Sequence, residues 1–257
     1  MISLQFKDLF TNKGLSKGSV FAGLSYLLWP TVCDICRAPI PDTYNGICRD
    51  CWNELLQCTA GDYCPTCGID AGKYALVNNR CGFCHDKDII FDGIARAGVY
   101  NDSLRDMILS LKFRGRTELD THLCALAGAA LQGSIFKDRI NFFVPVPLHW
   151  ARRLRRGFNQ AMIVARGLKH PSALINTDLV RVRYTKRQWN LTPTKRKRNV
   201  AGAFAVRKDH KFSGKTICLV DDITTSRATL NECAKTLKQA GAEKVFALVL
   251  AVAMQDT

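Results

Sequence analysis

The sequence predicts an α/β fold: a mostly parallel sheet covered by helices, preceded by a small double zinc-ribbon-like module. Three observations predict it. Four Cys-x-x-Cys pairs crowd into residues 33–84. After residue 92, apolar strand patterns alternate with amphipathic helix patterns. Late in the chain an apolar strand runs into two carboxylates, a hydroxyl-rich loop and another helix.

The 257 residues leave room for one α/β domain and a smaller module. A hydrophobic content of 47% is that of a globular chain, and no apolar run reaches the eighteen or so residues of a membrane span. The expected location is cytoplasmic. The 37 Lys and Arg against 22 Asp and Glu give a net charge of +15, which favours polyphosphate partners through counterion release.

Residues 1–30 read as an amphipathic segment, with Phe21, Leu24, Leu27 and Leu28 on one side. Lys7, Lys13 and Lys17 before the apolar run imitate a secretory signal, but no small-residue cleavage site follows.

Residues 31–90 form the cysteine-rich module. Two thiolates separated by two residues grip one side of a tetrahedral ion, and a second pair closes it. The eight cysteines therefore predict two structural Zn2+ sites, Cys33, Cys36, Cys48, Cys51 and then Cys64, Cys67, Cys81, Cys84, with interleaved pairing as the alternative. Four thiolates leave no open position for a substrate. Gly46, Gly68 and Gly82 suit tight turns beside the ligands. Cys58 reads as a packed small hydrophobe, and His85 as a spare ligand that a four-thiol site does not need.

Residues 91–257 form the α/β domain. The pattern predicts a strand over 93–100, a helix carrying Leu104, Ile108 and Leu111, a second helix over 121–131, and a buried strand over 140–148. That strand ends in Val144-Pro145-Val146-Pro147-Leu148, where the prolines force a loop. A helix follows Gly157 with Ala161, Val164, Ala165 and Leu168 inward. Cys124, Cys218 and Cys233 fall on apolar faces, and His149 and Trp150 stand at a possible pocket edge.

The most informative stretch begins with the strand Ile217-Cys218-Leu219-Val220 and continues through Asp221 and Asp222 to Thr224, Thr225, Ser226, Arg227, Ala228 and Thr229. A helix N-terminus behind hydroxyls receives a phosphate, and acids at a strand's carboxyl end accept hydrogen bonds from ribose hydroxyls. Thr229 and Glu232 have capping-box spacing, Leu230, Cys233, Ala234 and Leu237 make the buried stripe, and Gly241 supplies the stop. The plainer reading is that the acids end a strand and cap a turn.

Positive charge clusters at Arg152, Arg153, Arg155 and Arg156, and again at Arg181, Arg183, Lys186, Arg187, Lys195, Arg196, Lys197 and Arg198. Tyr184 and Trp189 lie in the second cluster, a mixture of rings and cations that suits single strands. The plainer account is a solvated loop closing over the ribose site.

Taken with the four cysteine pairs, the residues Leu111-Lys112-Phe113, Val144 to Leu148, Arg156-Gly157-Phe158-Asn159-Gln160, Gln188, Leu191, Arg198-Asn199, Gly202-Ala203-Phe204 and Val220-Asp221-Asp222 resemble the ComF family of competence proteins, which includes the GntX group. The resemblance implies a type I phosphoribosyltransferase-like fold, with Asp221 and Asp222 contacting ribose and 224–229 as the phosphate loop. It implies a role in natural transformation, handling single-stranded DNA alongside other competence proteins. One departure stands out: Arg227 occupies the family's loop glycine, where keeping a positive φ costs roughly 1 to 3 kcal/mol. The side chain is then expected to swing outward or to grip a phosphate itself.

Three functions follow from these readings. One is a DNA-handling accessory with Arg152, Arg153, Arg155, Arg156, Arg187, Arg196 and Arg198 on a basic rim. Another is a working phosphoribosyltransferase, with Asp221 and Asp222 as the candidate catalytic residues and Mg2+ on phosphoribosyl pyrophosphate. The third is a zinc-mediated protein-interaction scaffold.

Overall fold

A computed structural model describes residues 32–40, 46–114, 118–185 and 192–253. The 1–30 segment therefore lies outside the described residues. In chain order the elements are α1 Arg49–Thr59, β1 Leu76–Val77, β2 Arg80–Cys81, β3 Gly93–Val99, α2 Asp102–Arg114, α3 Glu118–Gln132, β4 Phe142–Pro145, α4 Trp150–Arg156, α5 Gln160–Gly167, β5 Leu174–Ile175, β6 Leu179–Arg181, α6 Pro193–Val200, β7 Phe204–Val206, β8 Thr216–Thr224, α7 Ala228–Gln239 and β9 Lys244–Val252.

Five strands form one sheet in the order β3-β9-β8-β4-β5, and every pairing within it is parallel. β1 with β2 and β6 with β7 make separate antiparallel ribbons. The central strands alternate with period two, but both of their faces are apolar. Ile217, Leu219, Val245, Ala247 and Val249 pack with Leu230, Cys233, Ala234 and Leu237 of α7. Cys218, Val220, Leu248 and Leu250 pack on the other side with Leu123, Leu126 and Ala127 of α3 and Val164 and Ala165 of α5. A sheet covered on both faces is the arrangement in which near-continuous apolar strands are stable.

The core on the α3 side does not stop at the cysteine region. Cys33, Ile40, Ile47, Cys51, Leu55 and Cys58 belong to it. The second group of cysteines makes a small cluster of its own, joined by Ile69 and Ile89 to the α7 side.

Most expected elements are present with shifted ends. The helix expected over 121–131 spans Glu118–Gln132. The strand expected over 140–148 is only Phe142–Pro145, because Pro145 and Pro147 have no N–H for the ladder. Arg152 to Arg156, read from sequence only as a charge cluster, lie in the short helix α4, capped by His149 Nδ1 accepting from the Ala151 amide at 3.3 Å. The capping box is not formed: α7 begins at Ala228, Arg227 is its N-cap residue, and Glu232 Oε1 accepts from the Gly202 amide at 2.7 Å. The stripe of Leu230, Cys233, Ala234 and Leu237 is fully buried, and Gly241 with φ 87° follows the helix end as expected.

Candidate functional site

The eight cysteines gather into the two sequential tetrads. In each, the four sulfurs lie within 4.8 Å of one another. A tetrahedral zinc with bonds near 2.3 Å holds its sulfurs about 3.8 Å apart. Cys36 and Cys48 are separated by 3.8 Å, Cys64 and Cys84 by 3.7 Å, Cys67 and Cys81 by 3.6 Å, and Cys81 and Cys84 by 3.8 Å. These spacings fit a divalent ion with four thiolate ligands, and they match zinc chemistry. Backbone supports the thiolates as well. The amides of Ile35 and Cys48 donate to Cys33 Sγ at 3.4 and 3.3 Å. Burial pushes the Cys33 thiol up, but the backbone amides of Cys48, Cys36 and Ile35 outweigh it and bring it down to about 7. Cys64 is held lower, at about 4, chiefly by the hydrogen bond from Cys67.

Gly46 and Gly68 take positive φ, 86° and 79°, at the turns expected of them. Gly82 does not: its φ is ordinary and a Cβ there would meet open space, so that turn does not require glycine. Cys58 is buried and donates to the Asn101 carbonyl at 3.6 Å, while His85 pairs with Asp86 at the surface, outside both tetrads.

At the carboxyl end of the sheet, β8 continues through both carboxylates. Asp221 aligns with Val249 of β9, and Thr224 with Val252. Asp221 and Asp222 are half-buried, and each carboxylate accepts from the next amide, Asp222 at 2.9 Å and Ile223 at 2.7 Å. Only Thr225, Ser226 and Arg227 are left to turn the chain into α7. Thr224 is buried. Thr225, Ser226 and Thr229 are half-buried, and the Thr225 hydroxyl accepts from Arg196 Nη1 at 2.7 Å.

Arg227 takes the left-handed backbone that a glycine was expected to supply at this position, with φ 60° and ψ 1°. Its side chain takes neither expected direction. It is 2% exposed and turned toward the second tetrad, where Nε donates to the Cys67 carbonyl at 3.0 Å and Nη1 donates to the Thr225 carbonyl.

Beside the strand ends lies a cavity of about 540 Å3. Its walls come from the Pro145–Leu148 loop, α4, α5 and the β6–β7 ribbon, and they carry Arg153, Arg166, Arg181, Arg207, Trp150 and Phe158. Trp150 and Tyr184 flank the buried His149, with ring centroids 5.4 and 5.2 Å from it. Asn159 locks the wall: its Nδ2 donates to the Val146 carbonyl at 3.0 Å, and its Oδ1 accepts from the Ala161 amide at 3.2 Å. Arg153 and Trp150, both singled out in the sequence, lie in this wall. Arg166 and Arg207, which stand outside the two charge clusters, line it as well. Arg198 is exposed on α6, and Arg187 lies outside the described residues.

No family model matches the chain. Among curated proteins, competence protein F of Haemophilus influenzae is 29% identical over 219 residues, 83% of this chain and 93% of the relative. Competence protein ComFC of Bacillus subtilis is 28% identical over 204 residues, covering 76% of this chain and 79% of that protein. DNA utilization protein YhgH of Salmonella typhi reaches 34% over 227 residues, 84% of this chain and 94% of the relative. The chain belongs to the ComF family. Its fold is a parallel sheet of five strands with helices on both faces, behind two cysteine tetrads. Solved structures similar to it include a hypoxanthine phosphoribosyltransferase of Staphylococcus aureus, 12% identical with a TM-score of 0.32, covering 52% of this chain and 62% of that one. A phosphoribosylpyrophosphate synthetase of Mycobacterium smegmatis is 19% identical with a TM-score of 0.28, over 52% and 34% of the two chains. Likeness of that size says nothing about the ComF-family site. No helix among the described residues is long and apolar enough to cross a membrane.

Proposed function

We propose that this ComF-family protein acts in DNA uptake, engaging single-stranded DNA at the arginine-lined cavity while the β8–α7 loop takes a phosphorylated ribose. The observation that carries this reading is the cavity itself: four arginines and two aromatic rings line it, next to Pro145 at the carboxyl end of β4 in the parallel sheet. Cations pair with phosphates, exposed rings stack on bases, and neither requires a particular sequence. The names of the relatives, competence protein F and DNA utilization protein, support the biological setting.

In this reading Asp221 and Asp222 accept hydrogen bonds from the ribose hydroxyls. The amides at the start of α7, with the hydroxyls of Thr225, Ser226 and Thr229, surround the phosphate. Arg152, Arg153, Arg155, Arg156, Arg187, Arg196 and Arg198 make the basic rim. Zinc in the two closed tetrads holds residues 31–90 against the 91–257 domain, and the protein works in the cytoplasm with other competence proteins. Fluorescence anisotropy of a labelled oligonucleotide across a salt series tests it: log affinity falls linearly with log salt, and binding that ignores salt rejects phosphate contact.

A second reading, turnover of phosphoribosyl pyrophosphate with Mg2+, has one observation in its favour. Arg227 preserves the left-handed turn of the family's glycine, so the loop amides keep their directions. Asp221 and Asp222 would then orient the ribose, and Mg2+ would be held mainly by the substrate's phosphates. Labelled phosphoribosyl pyrophosphate with a panel of bases separates the two: robust product formation discards the accessory role.

A further inference from the structure

The Arg227 guanidinium is almost wholly buried, yet no carboxylate is among the partners found for it. Nε reaches the Cys67 carbonyl, Nη1 the Thr225 carbonyl, and the guanidinium carbon lies 5.0 Å from the centre of the Phe83 ring, between Cys81 and Cys84 in sequence. Nη2 is buried with no hydrogen-bond partner among the described residues. A cation in that position is costly unless negative charge is close by. Burial pushes the Arg227 pKa down, and Cys67, Cys81, Cys84 and Cys64 all act against that push. A divalent ion held by four thiolates is a dianion, and it supplies the missing counter-charge. Its sulfurs are also weak acceptors for an unpaired N–H.

Two further contacts run across the same seam. Asn231, on the first turns of α7, donates to the Asp88 carbonyl and accepts from the Ile90 amide, both at 2.9 Å. The Ile94 amide at the start of β3 donates to the Pro65 carbonyl between Cys64 and Cys67 at 2.8 Å. The second tetrad is thus fastened to the start of α7 and to β3, and the Arg227 side chain reaches it from the β8–α7 loop.

We propose that Arg227 is a positioning residue that couples the two: it neutralises the metal-loaded second tetrad, and through its strained turn that tetrad fixes the loop between β8 and α7. The inference rests on reading the tetrad as a metal centre and not on which ligand the loop takes. It assigns a purpose to the arginine that stands in place of the family's glycine. The left-handed turn that a glycine adopts freely is held here by the anchor of its side chain.

The test uses the full-length zinc-loaded protein, with Arg227→Gln and Arg227→Gly. Zinc release to a chromogenic chelator is followed in each, with Cys36→Ser used to assign the phase that belongs to the first tetrad. Loss of an outer contact to a metal ligand costs about 10- to 100-fold in metal affinity. Both variants are expected to release zinc from the second tetrad at least tenfold faster, with the first tetrad unchanged as an internal control for folding. Hydrogen exchange of residues 224–229 gives the second readout. Zinc removal from the second tetrad should raise exchange there in the wild type. In Arg227→Gly, which suits the turn but lacks the anchor, exchange should be the same with and without zinc. Unaltered release in both variants, or a wild-type loop indifferent to zinc, overturns the proposal. Titration with ribose 5-phosphate is a separate arm: absence of binding there rejects the ribose-phosphate reading alone, since neither of the other readouts needs a ligand.

Discussion

Removing the exposed arginines of the cavity gives a quantitative forecast. Arg181 is committed within the protein, with Nη2 donating to the Thr185 hydroxyl at 2.5 Å and the guanidinium 5.1 Å from the centre of the Phe204 ring. Arg153, Arg166 and Arg207 are exposed and line the cavity. If each pairs with one phosphate of a single strand, each contributes about 0.7 to the slope of log affinity against log salt, so triple alanine replacement reduces that slope by about 2.1. Between 50 and 200 mM salt, a fourfold change, the wild type then loses roughly twentyfold more affinity than the variant. Anisotropy with a labelled oligonucleotide measures both slopes. The control replaces the exposed lysines Lys211, Lys215 and Lys235 by alanine, an equal loss of charge, with two of the three just before the amino end of β8. An equal fall in slope in the control shows that net charge, and not this cavity, governs binding, and that outcome refutes the site.

Replacing Asp221 and Asp222 together by Asn should weaken ribose 5-phosphate binding by about 10- to 100-fold, the worth of one charged hydrogen bond, while Tm moves little; calorimetric titration measures it. Chelation of zinc should lower Tm by more than about 10 °C in a single transition seen alike by far-ultraviolet circular dichroism and tryptophan fluorescence, because Cys33 and Cys51 share a core with α2 and α3; two separate transitions would show independent units. Asn159→Ala removes the α5 cap and frees the Val146 carbonyl, which should cost about 1 kcal/mol and about 2 to 4 °C in a thermal melt. A change below one degree would mean that the cavity wall is held by packing alone.

What could be read from the sequence was local chemistry. Cysteine spacing shows which thiols grip an ion as a pair, because the two-residue gap is itself the ligand geometry, but only the fold chooses the sequential tetrads over interleaved ones. The continuous apolar runs of β8 and β9 reveal a sheet buried on both faces, since no solvent-facing strand keeps Ile217, Cys218, Leu219 and Val220 all apolar. α4 escaped notice because Trp150–Arg156 is only seven residues long and four of them are arginine; the cap from His149 and the turn at Gly157, φ 80°, define it instead. The continuation of β8 through Asp221 and Asp222 escaped for another reason: it depends on backbone pairing with β9, a partner that local sequence does not display.

Glu232 and Arg227 show the same limit from the side of function. The spacing of Thr229 and Glu232 satisfies the capping-box pattern, yet Thr229 stands inside α7 and not at its cap, and Glu232 accepts from the Gly202 amide, thirty residues earlier in the chain. Arg227 read locally is a glycine replacement that spoils a loop. In three dimensions its φ of 60° is tolerated because the side chain finds the Cys67 carbonyl and a cluster of thiolates 160 positions away in sequence. A positive φ costs a residue with Cβ roughly 1 to 3 kcal/mol, which is within reach of one or two hydrogen bonds made by a charged group. The departure from the family pattern therefore does not imply a broken loop. It implies a loop whose shape has become conditional on the second tetrad, and Arg227→Gly is the substitution that should make it unconditional again.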